Sequence, residues 1–414
     1  MSQKEIFYTW NSVSPERLRD VKVDALKFDC VFDETLRDGI QAPTVRNPPL
    51  EAKKKIVDYM VRSGVRHADL GFPGANETAL NECVQLVEHI KEKSHELKPA
   101  FAGRTTTSDI SAISRVAELT QMNIEAYGFV AISPIRRYVQ GWDISEIQSS
   151  IKTSSKECRE GGSEFVLVLE DAFRCPPETL KEIYDVALES CPSRICLCDT
   201  VGAALPEGAK ALIQWTAGYL QDQNGGIPLE WHGHNDRGMA VANSLAALDA
   251  GCSRVHGTIL GVGERAGNAA LDQLIVNLYS TTDLPENLKP LVDYADFAQE
   301  ELAVNLPYNY PALGRDVFKT SAGVHAAAIL KAHKSGNSIL KDMVYSSVVA
   351  SQLGREQEVL IDEVAGANNV EYWFLSQGRT DFTKEKSEAI LRKAKSRKGF
   401  LSDEEIRNVI DSSI

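Results

Sequence analysis

Two short stretches, far apart in the chain, carry the residue types that hold a metal ion. Residues 31–43 read V-F-D-E-T-L-R-D-G-I-Q-A-P, and residues 230–238 read E-W-H-G-H-N-D-R-G. Each follows a hydrophobic, strand-like run and opens into Gly-rich polar sequence. On a strand, side chains at i and i+2 share a face, so His232 and His234 can offer two imidazoles to one ion. Asp38, beside Arg37, adds a carboxylate if the fold brings the first strand near the seventh. Two His and one carboxylate with open positions suit a catalytic divalent cation that also takes substrate oxygens.

The elements that must position these residues can be read from the pattern between them. Strand-like runs fall at 29–34, 65–71, 100–103, 124–132, 164–169, 194–198, 227–232 and 254–260. Amphipathic segments fall between them at 51–63, 76–93, 109–120, 143–160, 176–190, 206–222 and 236–250, with a last one at 268–280. Eight βα units in this length predict an α/β fold, a closed (β/α)8 TIM barrel, rather than an open doubly wound sheet. No G-x-G-x-x-G follows the first strand, against a dinucleotide-binding site. Active sites of such barrels collect at the C-terminal strand ends. Asp38 follows strand one, the His pair ends strand seven and Asn268 follows strand eight, so closure makes them neighbours. Asn268 either joins the ligands or caps the last barrel helix.

The division expected is an N-terminal arm at 1–28, the barrel at 29–282, a loop-rich linker subdomain at 283–335 and a helical subdomain at 336–414. The linker holds Pro285, Pro290, Pro307, Pro311 and Gly314 around a helix near 292–304. Further helices are expected at 323–333, 366–377, 382–397 and 402–412.

Composition bounds the function. The chain has 414 residues with 43% hydrophobic and 25% charged, and a net charge of −13. That charge argues against nucleic-acid binding. No apolar run is long enough to span a bilayer, and the N-terminus has no signal-peptide core. Eight Cys without a C-x-x-C pair read as reduced thiols of a cytoplasmic protein. His67, His89, His95, His256 and His333 read as structural histidines.

The motifs D-E-T-L-R-D-G-I-Q (33–41), L-G-F-P (70–73), E-D-A-F-R (170–174), D-T-V-G (199–202), H-G-H-N-D (232–236), G-V-G-E-R-A-G-N (261–268) and A-G-V-H (322–325), with Tyr345, form an ordered set. With it the chain resembles the Claisen-type enzymes that condense acetyl-CoA with 2-keto acids, among them 2-isopropylmalate, homocitrate and citramalate synthases. The likeness implies a divalent cation (Mg2+, Mn2+, Zn2+ or Co2+) on Asp38, His232 and His234 with Asn268 beside them, and acetyl-CoA as co-substrate. It implies that Arg37 holds the developing enolate or keto-acid oxygens, that Thr200 touches the keto-acid carboxylate and that Glu170 lies near the acetyl methyl. Gly261, Gly263 and Glu264 match the loop that approaches the thioester. His325 and Tyr345 match a pair that reaches the active site from the extension, commonly that of the partner in a homodimer with exchanged arms. Glu170 and His325 both remain candidates for the base.

Substrate choice rests on fewer residues. Homocitrate synthases are expected to carry an Arg where this chain has Val166, and many relatives have Ser where it has Val168. An apolar wall disfavours a second carboxylate, so 2-ketoisovalerate and a 2-isopropylmalate synthase of leucine biosynthesis are expected. Arg104, Arg136 or Arg137 can still meet a distal carboxylate, which keeps homocitrate synthase as the alternative. Citramalate synthase also remains, since a few methyl groups discriminate modestly. A related lyase that cleaves 3-hydroxy-3-methylglutaryl-CoA is disfavoured because the 261–268 loop lacks Cys. The short stretch after Tyr345 leads to the expectation that no regulatory domain follows and that leucine does not inhibit.

Overall fold

The computed structural model describes residues 28–223, 225–280 and 287–412. Apart from Phe28, the arm read at 1–28 lies outside these residues, as does the start of the linker with Pro285. Eight parallel strands close into a barrel: β1 Val31–Asp33, β2 His67–Asp69, β3 Lys98–Arg104, β4 Glu125–Ala131, β5 Glu164–Glu170, β6 Arg194–Asp199, β7 Leu229–Gly233 and β8 Arg254–Gly257. Closure is made by β1, which pairs with β2 at Asp33↔Ala68 and with β8 at Val31↔Val255, Phe32↔His256 and Asp33↔Gly257. The (β/α)8 expectation therefore holds.

The outer helices form for the reason their spacing suggests. Helix Leu50–Arg62 buries Ala52, Ile56, Val57 and Met60, and helix Glu77–Glu92 buries Leu80, Cys83, Leu86, Val87 and Ile90. Both sets recur at three and four residues, one stripe against the strands. Asn76 starts the second helix by accepting a hydrogen bond from Ala79 N at 2.9 Å. Helix Pro134–Gln140, after β4, is not marked by any hydrophobic period because none of its residues is buried. Its local signals are Ser133 as N-cap, Pro at the first turn and Gly141 in the left-handed region at φ 69°.

Inside the barrel, alternate residues of the strands face one another in layers. Phe32, Ala100, Tyr127 and Val166 form a central cluster with Val168 packed on it. Towards the N-terminal strand ends the filling is charged. Arg254, 1% exposed, donates to Glu230 at 2.6 Å and to both oxygens of Glu125 at 3.1 and 3.2 Å. Tyr127 Oη donates to Glu230 at 2.9 Å.

The described residues divide into two compact units, one holding the barrel with residues 293–305, the other residues 306–412 with the short stretch 287–292. The second unit has a two-stranded parallel sheet, β9 Lys319–Thr320 with β10 Glu358–Val359. Helices Gly323–Lys334, Ser338–Met343, Ala367–Ser376, Lys384–Lys395 and Asp403–Asp411 surround two apolar cores. Among the described residues no helix is long and apolar enough to cross a membrane.

Candidate active site

The site grows from the β1–β8 seam. His232 lies on β7, and His234 follows that strand, where it bridges Asn268 of the loop after β8. Asp38 opens a 3-10 turn, Gly39–Gln41, just past β1. Asp38 Oδ2 lies 3.8 Å from His232 Nε2 and 3.7 Å from His234 Nε2, and the two Nε2 atoms are 3.3 Å apart. Asn268 Nδ2 donates to Asp38 Oδ2 at 2.7 Å. All four residues are buried.

Neighbouring acids orient this group. Glu34 Oε2 accepts from His232 Nδ1 at 2.6 Å, so the Nε2 lone pair of His232 is turned toward Asp38 and His234. The other oxygen of Glu34 meets Arg37 and lies 3.3 Å from His256 Nδ1. His256 Nε2 in turn lies 3.0 Å from Glu230. Arg37 also donates from Nε to Asp69 at 2.9 Å and stands 3.2 Å from Asp38. Glu34, Asp69 and His256 are buried, and sequence reasoning gave none of them a part in the site.

These contacts set the charges. Burial pushes the Glu34 carboxyl up, but Arg37, His232 and His256 outweigh it and hold it well below the usual range. Burial likewise opposes ionisation of Asp38, and Arg37 and His232 win, so its pKa is lowered. Burial raises Asp69 to about 7 in spite of Arg37. His256 is raised to about 9, because Glu34 and Glu230 overcome its burial. Burial, with His232 nearby, lowers His234 to about 4.

A cavity of about 350 Å³ opens above this group. Arg37, Asp38, His232, His234, Glu170, Thr200, Arg136, Val168 and Glu264 line it, together with Phe72, Ala102, Phe129 and Cys198. Arg136 is ion-paired with Glu170. Thr200 Oγ1 accepts from Asp171 N at 2.8 Å. Val166 does not line the cavity and sits in the layer below. Arg104 does not line it either; its guanidinium is 58% exposed and bound to Asp109 at 2.7 and 3.0 Å.

Gly261 and Gly263 shape the loop that carries Asn268 and Glu264. Gly263 has φ 149°, and a Cβ there would lie 2.7 Å from Asn268 Nδ2. Arg265, not singled out in sequence, ties this loop down by donating to Asp236 at 2.9 Å and to Thr200 O at 2.6 Å. His325 and Tyr345 belong to the second unit. There their ring centroids are 3.9 Å apart, and His325 Nδ1 lies 3.2 Å from Thr320 Oγ1.

The donor set fits a divalent cation. Asp38, His232 and His234 each bring one ligand atom within 4.8 Å of the others. Asn268 Oδ1 and His234 Nδ1 are buried without a hydrogen-bond partner. Turning the Asn268 amide over would present its oxygen beside Asp38 Oδ2, an arrangement that a cation stabilises and a hydrogen bond does not.

A closed barrel with two imidazoles and a carboxylate clustered at the C-terminal strand ends defines a class of metal-type barrel sites. Within it, residues 30–301 match the family model described as HMGL-like, and the chain belongs to that family. It is 30% identical to an (R)-citramalate synthase of Aquifex aeolicus over 82% of this chain and 63% of the relative. It is 31% identical to a 2-isopropylmalate synthase of Sediminispirochaeta smaragdinae over 80% of this chain and 64% of the relative. It thus spans less than two thirds of both. Homocitrate synthase AksA of Methanocaldococcus jannaschii is 26% identical over 97% of this chain and 94% of its own length. Among solved structures, hydroxymethylglutaryl-CoA lyase from Pseudomonas aeruginosa superposes with a TM-score of 0.55 at 17% identity, covering 70% of this chain and 98% of the lyase. That likeness is one of fold.

Proposed function

We propose that this chain is a metal-dependent enzyme that condenses acetyl-CoA with a 2-keto acid of short apolar side chain, 2-ketoisovalerate first, to give 2-isopropylmalate and CoA. The observation that carries the reading is the Asp38–His232–His234 cluster beneath a cavity walled by Phe72, Phe129 and Val168. Asp38, His232 and His234, with Asn268 beside them, would hold a divalent cation, which when bound supplies Lewis-acid polarisation of a chelating keto acid.

The residues around it have separable tasks. Thr200 Oγ1 already accepts from Asp171 N, so its own proton is left to donate to the keto-acid carboxylate. Arg37 stays charged at any working pH and faces the cavity, where it stabilises the oxygen of the acetyl-CoA enolate. A base takes the methyl proton; Glu170 lines the cavity and is the barrel's candidate. The enolate carbon then bonds to the keto carbon. The resulting alkoxide takes a proton, and water cleaves the thioester to release CoA. Glu264 and the 261–268 loop are assigned to the thioester side. His325 and Tyr345 are assigned to the site of a partner chain.

Side-chain choice follows from the cations. Arg136 is paired with Glu170, and Arg104 is bound to Asp109 and does not line the cavity, so the pull of either on a distal carboxylate is weakened. Burying that carboxylate unpaired is costly. Arg136 nevertheless lines the cavity, which favours 2-ketoglutarate as the second reading should its pair with Glu170 open.

The test is thiol release from acetyl-CoA against 2-ketoisovalerate, pyruvate and 2-ketoglutarate. The highest kcat/KM is expected with 2-ketoisovalerate. A preference for 2-ketoglutarate selects the second reading, and no release with any keto acid rejects the synthase.

A further inference from the structure

On the outside of the barrel a second group of ligand-type side chains converges. Asp58 projects from helix Leu50–Arg62, His89 from the last turn of helix Glu77–Glu92, and His95 from the loop leading to β3. Asp58 Oδ1 receives both imidazoles: His89 Nε2 and His95 Nε2 each lie 2.7 Å from that one oxygen. The two rings stand 6.0 Å apart at 69°. The three ligand atoms lie within 4.8 Å of one another, and none of these residues lines the cavity.

Simple hydrogen bonding does not require this geometry, since a carboxylate has two oxygens to share between two donors. Here two imidazole nitrogens converge on one carboxylate oxygen, and the three atoms lie within 4.8 Å of one another. Without a cation each ring must carry its proton on Nε2. With Nε2 freed of its proton on each ring, the same three atoms become ligands. The side chains are 34%, 12% and 18% exposed for Asp58, His89 and His95, so water can complete a four-coordinate shell. The end of helix Glu77–Glu92 beside His89 is its C-terminus, where exposed carbonyls favour positive charge.

We propose that Asp58, His89 and His95 form a second metal site, separate from the cavity, for a divalent cation of Zn2+ type. It ties the first two outer helices to the segment that enters β3. Two imidazoles beside one carboxylate suit Zn2+, Co2+ or Ni2+.

The test uses the untagged full-length chain, stripped with a chelator and dialysed against Zn2+ for metal analysis, with Co2+ absorption as the second readout. The expected result is two ions per chain. His89→Gln and Asp58→Asn each lower this to one, with circular dichroism and thiol-release kinetics unchanged. The double variant His232→Gln/His234→Gln removes the other ion. Equal metal content in wild type and in both folded outer-site variants overturns the proposal and leaves a hydrogen-bonded cluster. A wild-type chain holding only the ion that the cavity variant removes also overturns it. If the cavity variant keeps all its metal while His89→Gln loses one ion, the outer site stands and the cavity reading falls.

Discussion

Glu34→Gln removes one charge and changes one atom, yet it should weaken the cavity's hold on metal by about 10- to 100-fold. One oxygen of Glu34 accepts from His232 Nδ1 at 2.6 Å, and the other faces Arg37 and His256. An amide cannot serve both sides. With its oxygen toward His232, its NH2 points at the Arg37 guanidinium, a meeting of donors, and the charge that raises the pKa of His256 is lost. With its oxygen toward Arg37, its NH2 faces His232 Nδ1 and drives the proton to Nε2, where a ligand lone pair is needed. Partners that orient a ligating His are worth about 10- to 100-fold in metal affinity, which is ~1.4–2.8 kcal/mol. Competition against a chromophoric chelator, in wild type and Glu34→Gln, measures this directly. A dissociation constant within about twofold of wild type would refute the claim that Glu34 sets the His232 tautomer.

Three further outcomes follow from contacts elsewhere in the chain. Arg254→Met removes the buried cation that bridges Glu125 and Glu230, leaving them Lys98, Arg194 and His256, and should cost at most about 3–5 kcal/mol in urea unfolding followed by tryptophan fluorescence; a loss below about 1 kcal/mol would contradict the pairing. His67 is held near 3 by burial and by Arg254, so the folded chain keeps it neutral while the unfolded chain protonates it below 6.5. Stability is therefore lost as pH falls from 6.5 toward about 3, at up to about 1.4 kcal/mol per pH unit, and His67→Gln should flatten that slope in unfolding curves taken across the window. If His325 and Tyr345 serve a partner's barrel, mixing inactive His232→Ala and His325→Ala chains should restore about one quarter of wild-type turnover through mixed dimers, whereas no recovery argues against exchanged arms.

The barrel was legible because short apolar runs alternate with segments of helical period. Residues 165–169 form an unbroken apolar run, as a strand buried on both faces does, and helix stripes such as Ile56–Met60 recur every four residues. Ends were legible only to a few residues: β3 runs Lys98–Arg104 where the apolar run marked 100–103, because Lys98 and Arg104 are strand residues with polar side chains. Helix Pro134–Gln140 was not legible, since a helix without a buried face has no hydrophobic period. Its Arg136 was still singled out, and the structure shows why its availability could not be: the pair with Glu170, on the next strand, is a tertiary contact. Arg104 and Val166 show the same limit. Sequence placed both near the mouth, but the turn after β3 aims Arg104 at Asp109, and alternation sets Val166 one layer below Val168.

Glu34, Asp69 and His256 were missed for a different reason. The i+2 rule that paired His232 with His234 also runs backward to Glu230 and applies on β8 to Arg254 and His256. Carried through, it lines the barrel interior with charge, which hydrophobic patterning alone does not suggest. What sequence could not give is the balance. Glu34 and Asp38 are held ionised, Arg37 and a protonated His256 oppose them, and Glu230, lowered to about 2, adds a further negative charge 3.0 Å from His256. Asp69, raised to about 7, sits at the edge of ionising and can answer a change in its surroundings. In the proposed condensation a bound divalent ion would add positive charge here, which the keto-acid carboxylate and the developing enolate oxygen would offset, so the buried acids beneath the His pair would both orient its ligands and temper its charge.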